Sequence, residues 1–360
     1  MTIAGDRRYP KLIGPAVVLG IALLTAVGLW QTRGERPRER LVALTVEPEG
    51  IMGTSCRLSV TIGRRGARGA AEGLERAEEA VRGIESRMSV WLEDSELSRL
   101  NRAPAGRSVP LSLEIQEVLA RARRAAEVTR GAFDVTVGPL VLLWRRAPEL
   151  GRPPDPDELT EARAASRWEH FETTADGLRK NTDGARIDLG GIAKGYAIDR
   201  AVAILSAFAP QGGLVDIGGD VRAWGCPPQS DRWEIAVRDP FGGSPLVGLR
   251  IAEGAVCTSG DYARFVEVGG RRFSHIIDPR NGRPAEGVVS VTVTAPEAET
   301  ADIWATALSV LGPDGVLVLP IGCEALFVLG DRQQRRLIAT PGLAAMMKEV
   351  PADLEIIRGS

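Results

Sequence analysis

The chain carries two histidines, His170 and His275. His275 sits in Phe-Ser-His-Ile-Ile-Asp-Pro-Arg-Asn-Gly-Arg-Pro, where a strand pattern runs into a loop of Pro and Gly. An imidazole at such a place titrates near neutrality and can take a proton from a nucleophile, although spacing fits a structural histidine as well. His170, in Arg-Trp-Glu-His-Phe-Glu, reads as a solvated surface residue. Asp302 and Thr306 are four apart on a predicted helix and therefore share one face. A carboxylate with a hydroxyl suits a hard cation such as Mg²⁺, and an Asp in a first helical turn also serves the helix dipole without any metal. The third feature is Ile187-Asp-Leu-Gly-Gly-Ile-Ala-Lys-Gly-Tyr-Ala-Ile-Asp199. Its β-branched run, glycine pair and amphipathic continuation place backbone N–H groups and a helix N-terminus beside Asp188 and Lys194, where a phosphate could sit. The same glycines would equally serve a tight turn that needs unusual φ angles.

Other residues offer less. Cys257, in Cys-Thr-Ser-Gly-Asp-Tyr, reads as a small buried residue. The four cysteines, Cys56, Cys226, Cys257 and Cys323, show no CxxC or Cys/His spacing, which argues against a zinc site. The fingerprints G-x-G-x-x-G, G-x-x-x-x-G-K-[ST] and G-x-S-x-G are absent. With 45 Lys and Arg against 47 Asp and Glu, the net charge is −2, so nucleic acid is a poor candidate partner.

Several elements must position these groups. Residues 41–62 alternate like paired strands around Met52-Gly53-Thr54, and helical spacing runs from Ala70 to Met88 and from Leu113 to Thr129, the latter closed by Gly131. Phe133 and Asp134 stand at a turn before an apolar segment, and Arg145 to Asp157 reads as a surface loop. A strand up to Asp188, a glycine turn and a helix follow. Leu214–Ile217, Trp233–Val237, Leu246–Ile251, Phe265–Phe273 and Val288–Thr294 read as strands, with Gly269-Gly270 a hairpin turn. Thr300 is the expected N-cap of a helix ending at Leu311, with Gly312 as its stop. Without a regular βαβ period the fold class is α+β, with mixed and antiparallel sheets packed on helices in two closely associated subdomains. Ahead of this, the uncharged run 12–30 has the length of one transmembrane helix, an anchor or uncleaved signal. The expected organisation is a cytoplasmic N-terminus at 1–11, the anchor at 12–30, a linker at 31–40, a catalytic domain at 41–340 and a C-terminal tail at 341–360.

The order of these motifs resembles the ApbE family of FAD:protein FMN transferases. The match rests on Met52-Gly53-Thr54, Ser95 to Asn101, Gly131 to Trp144, Asp188 to Asp199, Thr258 to Tyr262, Ser274 to Pro284 and Ala301 to Thr306. The resemblance implies an enzyme that uses FAD and Mg²⁺ to attach FMN to a threonine or serine hydroxyl of an acceptor protein, releasing AMP. FAD hydrolysis to FMN and AMP and a non-catalytic FAD carrier are the alternatives. It implies flavin-binding positions at Met52, Trp91, Ala132, Phe133, Asp134, Asp188, Lys194 and Ile276. Metal positions fall at Gly191 (through its carbonyl), Asp302 and Thr306, and His275 assists the acceptor hydroxyl. Acceptors in the family belong to membrane electron-transport complexes, so the domain is expected on the periplasmic face of the inner membrane. Two residues depart from the family pattern: Asn281 replaces a usual Thr, and Ala305 replaces a carboxylate found in some relatives. Trp91 stands where many relatives have Tyr, a bulk that favours transfer over hydrolysis.

Overall fold

The nine strands of the main sheet lie side by side in the order in which the chain makes them. They are β1 (Val42–Val46), β2 (Cys56–Ile62), β3 (Gly212–Ile217), β4 (Asp220–Gly225), β5 (Gly254–Gly260), β6 (Val288–Ala295), β7 (Glu324–Leu329), β8 (Arg336–Ala339) and β9 (Leu354–Ile356). Every neighbouring pair is antiparallel except β8 and β9, which run parallel. The computed structural model describes residues 41–63, 66–175, 177–209, 211–260 and 265–358. The run 12–30 and its flanks lie outside the described residues, as do Asp261 and Tyr262.

Among the described residues eight α-helices join this sheet: α1 (Ala67–Met88), α2 (Glu96–Arg102), α3 (Leu113–Val128), α4 (Gly138–Leu150), α5 (Pro156–Ala165), α6 (Ala193–Phe208), α7 (Ala298–Leu311) and α8 (Pro341–Met346). Period-two alternation decides which side of the sheet each strand residue feeds. On β5, Ala255 and Cys257 join the core under α1, α6 and α7, whereas Val256 joins a second core under α8 and the hairpin Trp233–Val237/Val247–Ile251. On α1, Leu74, Ala77, Val81, Ile84 and Met88 form the buried stripe, and each large apolar side chain so covered contributes about 1.5–3 kcal/mol. The result is α+β, as the irregular order of helix and strand patterns implies.

Four local expectations change. Arg145–Asp157 is not a loop: α4 continues to Leu150, ends at Gly151 in the left-handed region, and α5 restarts from an Asp155–Glu158 capping box. Pro148 is tolerated because it falls in the last turn of α4, where its ring disturbs little helix. The run up to Asp188 joins no strand. The Ile187 N–H donates to Asn101 Oδ1 and the Ile187 carbonyl accepts from Asn101 Nδ2, both at 2.8 Å, so one side chain replaces a strand neighbour. Residues 341–358, expected as a tail, belong to the fold, because Leu343 and Met347 enter the second core and β9 pairs with β8.

The fourth change concerns α7, which begins at Ala298 rather than after Thr300. Its cap comes from another helix: the Asp199 carboxylate on α6 accepts from the Ala298 and Glu299 N–H groups at 2.9 Å, and Arg222 pairs with the same carboxylate. Next to this cap Glu299 is buried against Arg121, 3.0 Å away. Burial pushes the Glu299 carboxyl up to about 7, against the pull of Arg121. A raised folded-state value means the folded protein keeps this proton after the unfolded chain has released it. Stability is therefore fully present below the ordinary carboxylate range and falls as pH rises towards 7. We predict that the melting temperature of Glu299→Gln varies less between pH 5 and pH 7.5 than that of the parent. Parallel curves in that window would contradict it.

Candidate active site

The α6 and α7 N-termini cross closely because residue 195 is glycine. A Cβ there would lie 2.4 Å from the Ala298 carbonyl oxygen, so no other residue fits without moving one helix. This crossing sets Lys194 beside Asp302. The Gly195 N–H donates to Asp302 Oδ2 at 3.1 Å, and Lys194 Nζ lies 4.0 Å from Asp302 Oδ1. One turn further along α7, Thr306 meets Gly191: a Cβ on Gly191 would lie 3.0 Å from Thr306 Oγ1 and 3.2 Å from Phe133 Cε2. Gly191, Lys194, Asp302, Thr306 and Phe133 are thus gathered from three separate stretches of chain.

A residue that motif reading passed over completes the group. Asp220 follows the Gly218-Gly219 turn, is 2 % exposed, accepts the Thr258 N–H at 3.0 Å through Oδ1, and meets Lys194 Nζ directly through Oδ2. An acid after two glycines at a strand start was the available sequence signal. Two buried carboxylates, Asp220 and Asp302, therefore flank one ammonium, which is in contact with Asp220 and 4.0 Å from Asp302. Ser259 Oγ lies 3.5 Å from Thr306 Oγ1 and extends the hydroxyl lining. The donor set is all oxygen, which suits a hard cation. Among the described residues no cluster of three His, Cys, Asp or Glu side chains gathers, so backbone, hydroxyl and solvent oxygens would supply the rest.

The glycine turn itself offers fewer open amides than its sequence implies. Gly190 N–H donates to Asp188 Oδ1, those of Ile192 and Ala193 to the Leu189 carbonyl, and that of Gly195 to Asp302. The turn instead presents a carboxylate, an ammonium and the Gly191 backbone. Gly191→Val should keep the fold at a cost of about 1–3 kcal/mol from overpacking, yet lose the activity of this site, since its methyl groups would displace Thr306. Thermal melts beside activity assays check this; full activity would contradict it.

The remaining predicted residues surround this centre at different depths. Ala132 and Phe133 are buried, and Phe133 N–H is fixed by Thr129 Oγ1 at 3.1 Å. Asp134 caps the short turn Val135–Val137 by accepting from the Thr136 N–H and hydroxyl, both at 2.8 Å, and burial holds its carboxyl above the usual range. Asp188 donates its N–H to the Val135 carbonyl at 2.8 Å and borders a cleft of about 220 Å³ shared with Arg102, Arg145 and Arg186. Met52 takes a positive φ of 49°, strained for a residue with a Cβ. Its loop touches the turn that carries Asp220, because Gly218 N–H donates to the Ser55 carbonyl and Gly218 abuts Thr54. Trp91 is 70 % exposed, with the guanidinium of Arg145, a residue of that cleft, 4.1 Å above its ring.

His275 is half-buried in the segment after the hairpin strand Arg271–Ser274. That segment is held on α4: Trp144 Nε1 donates to the Gly282 carbonyl at 2.8 Å, and the Trp144 and Phe273 rings pack at 5.1 Å. Ile276, buried, accepts from the Ala285 N–H. Asn281 explains its own tolerance, since Nδ2 donates to Asp278 Oδ2 and Oδ1 accepts from the Arg283 N–H, the turn bonding a Thr hydroxyl could also make. Ala305 is buried in the main core. His170 is not simply solvated: its ring nitrogens lie 2.8 Å from Asn181 Oδ1 and from the Ala164 carbonyl, which ties α5 to the chain that follows. The four cysteines are unpaired.

The family model described as the ApbE family matches residues 52–327, spanning every motif of this site. The chain belongs to the ApbE family. A FAD:protein FMN transferase of Vibrio cholerae is 39 % identical over 237 residues, covering 64 % of this chain and 71 % of that protein. The Haemophilus influenzae protein of the same name is 37 % identical over 262 residues, covering 68 % and 73 %. Among solved structures, the ApbE protein of Thermotoga maritima superposes with a TM-score of 0.77 at 35 % identity, covering 86 % of this chain and all of that one. The flavin transferase ApbE of Vibrio cholerae gives 0.73 at 30 % identity, covering 85 % of this chain and all of that one.

Proposed function

We propose that this ApbE-family chain moves the FMN half of FAD onto a threonine or serine hydroxyl of an acceptor protein, with Mg²⁺, and releases AMP. The observation that carries this reading is the convergence of Gly191, Asp302 and Thr306 beside a buried Asp220 that holds Lys194. Asp302, Thr306 and the Gly191 carbonyl would hold Mg²⁺, which when bound supplies positive charge to pyrophosphate oxygens. Lys194 adds a second positive charge at the same edge. Asp188, Asp134, Phe133, Ala132, Met52, Trp91 and Ile276 line the flavin nucleotide. His275 takes the proton of the acceptor hydroxyl, a weak nucleophile until then. The hydroxyl oxygen bonds to the FMN phosphorus, the bridging P–O bond breaks, and AMP leaves with that oxygen.

The acceptor in this reading is a subunit of a membrane electron-transport complex. The run 12–30 anchors the domain to the inner membrane on the periplasmic side. Trp91, braced by Arg145, limits water near the nucleotide and favours transfer over FAD hydrolysis. Nucleotide analysis with and without acceptor separates the alternatives: transfer requires AMP release that depends on acceptor and equals the FMN attached. AMP released equally without acceptor would favour a pyrophosphatase, and intact FAD in both cases a carrier.

A further inference from the structure

We infer that Asp220 is a positioning residue that keeps Lys194 off Asp302, so that Asp302 stays available to a divalent cation. This inference rests on the metal reading above. The Lys194 ammonium lies 4.0 Å from Asp302 Oδ1, the outer limit of an ion pair, and a small rotation would close that gap. The gap stays open because Asp220 Oδ2 holds the ammonium in direct contact. Asp220 is itself fixed at both ends. The tight turn at Gly218-Gly219 starts β4 at this residue, and Oδ1 accepts the Thr258 N–H from β5 at 3.0 Å. An ammonium and a divalent cation compete for the same carboxylate oxygens. A buried acid that occupies the ammonium removes that competition.

Asp220→Asn separates the charge from the architecture, since the amide oxygen can still accept from Thr258 while nothing holds the ammonium. Lys194 then closes on Asp302. The test measures Mn²⁺ uptake by electron paramagnetic resonance and Mg²⁺ binding by calorimetry, on the folded domain without flavin. Affinity should fall about 10- to 100-fold in Asp220→Asn, the usual effect of losing a partner behind a metal ligand. Asp220→Glu, which keeps the charge, should stay within a few-fold of the parent. Asp220→Ser, a second neutral variant whose hydroxyl can accept from Thr258, should show the same loss if Asp220→Asn does not fold. The loss should disappear when Asp220→Asn is combined with Lys194→Gln and compared with Lys194→Gln alone, because the competitor is gone. Undiminished affinity in Asp220→Asn, or an equal loss in the Lys194→Gln background, overturns the proposal and leaves the metal reading standing. A parent protein that takes up neither cation overturns both.

Discussion

Asp302→Ala is expected to lower flavin transfer by about a thousandfold or more and to leave a residual rate that no longer responds to Mg²⁺, because charge stabilisation by a bound metal is worth several kcal/mol. Asp302 is buried, and its two oxygens face different partners, Gly195 N–H on one side and Lys194 on the other. Truncation removes the carboxylate one turn before Thr306 on α7. It also leaves the Gly195 amide without its acceptor, which adds a stability loss of about 1–3 kcal/mol. Asp302→Asn answers that ambiguity: it retains an acceptor for Gly195 and nearly the same volume, yet lacks the charge. Both variants should fail, with Asp302→Asn melting closer to the parent. Rates measured across a Mg²⁺ titration decide the matter, and a normal Mg²⁺ response in Asp302→Asn would place the ligand elsewhere.

His275→Ala should lose transfer by about 10² to 10⁴-fold, the range for removing a general base, while FAD affinity stays near that of the parent. The two effects separate because Trp144 Nε1 to Gly282, the Trp144–Phe273 packing and the Ala285 N–H to Ile276 anchor the segment through groups other than the imidazole. Quenching of flavin fluorescence reports binding, and in-gel fluorescence of the acceptor reports transfer. Transfer at the parent rate would remove His275 from the proton path. Lost FAD binding would reassign it to holding the nucleotide.

The shared helix face of Asp302 and Thr306, four apart, and the turn at Gly190-Gly191 were legible in the sequence, whereas a metal role for Gly191 came only from the family resemblance. Local patterns of that kind survive without the fold. Asp199 capping α7, Asn101 pairing with Ile187 and Asp220 holding Lys194 were not legible, since each joins residues far apart in the chain, 99 positions in the case of Asp199 and Ala298. Propensity sees Thr300 as a cap because it knows only its neighbours; the fold supplies a better acceptor from another helix. The helix over Arg145–Leu150 was hidden by Pro148 and its charges, although Gly151 and the Asp155-Pro-x-Glu158 box punctuate it in the usual way. Asp188 illustrates the intermediate case. Its place before the turn was readable, whereas the pairing that holds its segment in place, through Asn101 and Val135, was not.

Intact-mass and peptide mass spectrometry of an acceptor protein bearing the modification threonine, incubated with this domain, FAD and Mg²⁺, tests the central claim most directly. The account predicts one FMN added at that hydroxyl, an equal amount of AMP, and no addition when Mg²⁺ is chelated. An unmodified acceptor, with FAD left intact or hydrolysed at the same rate whether or not acceptor is present, would contradict it.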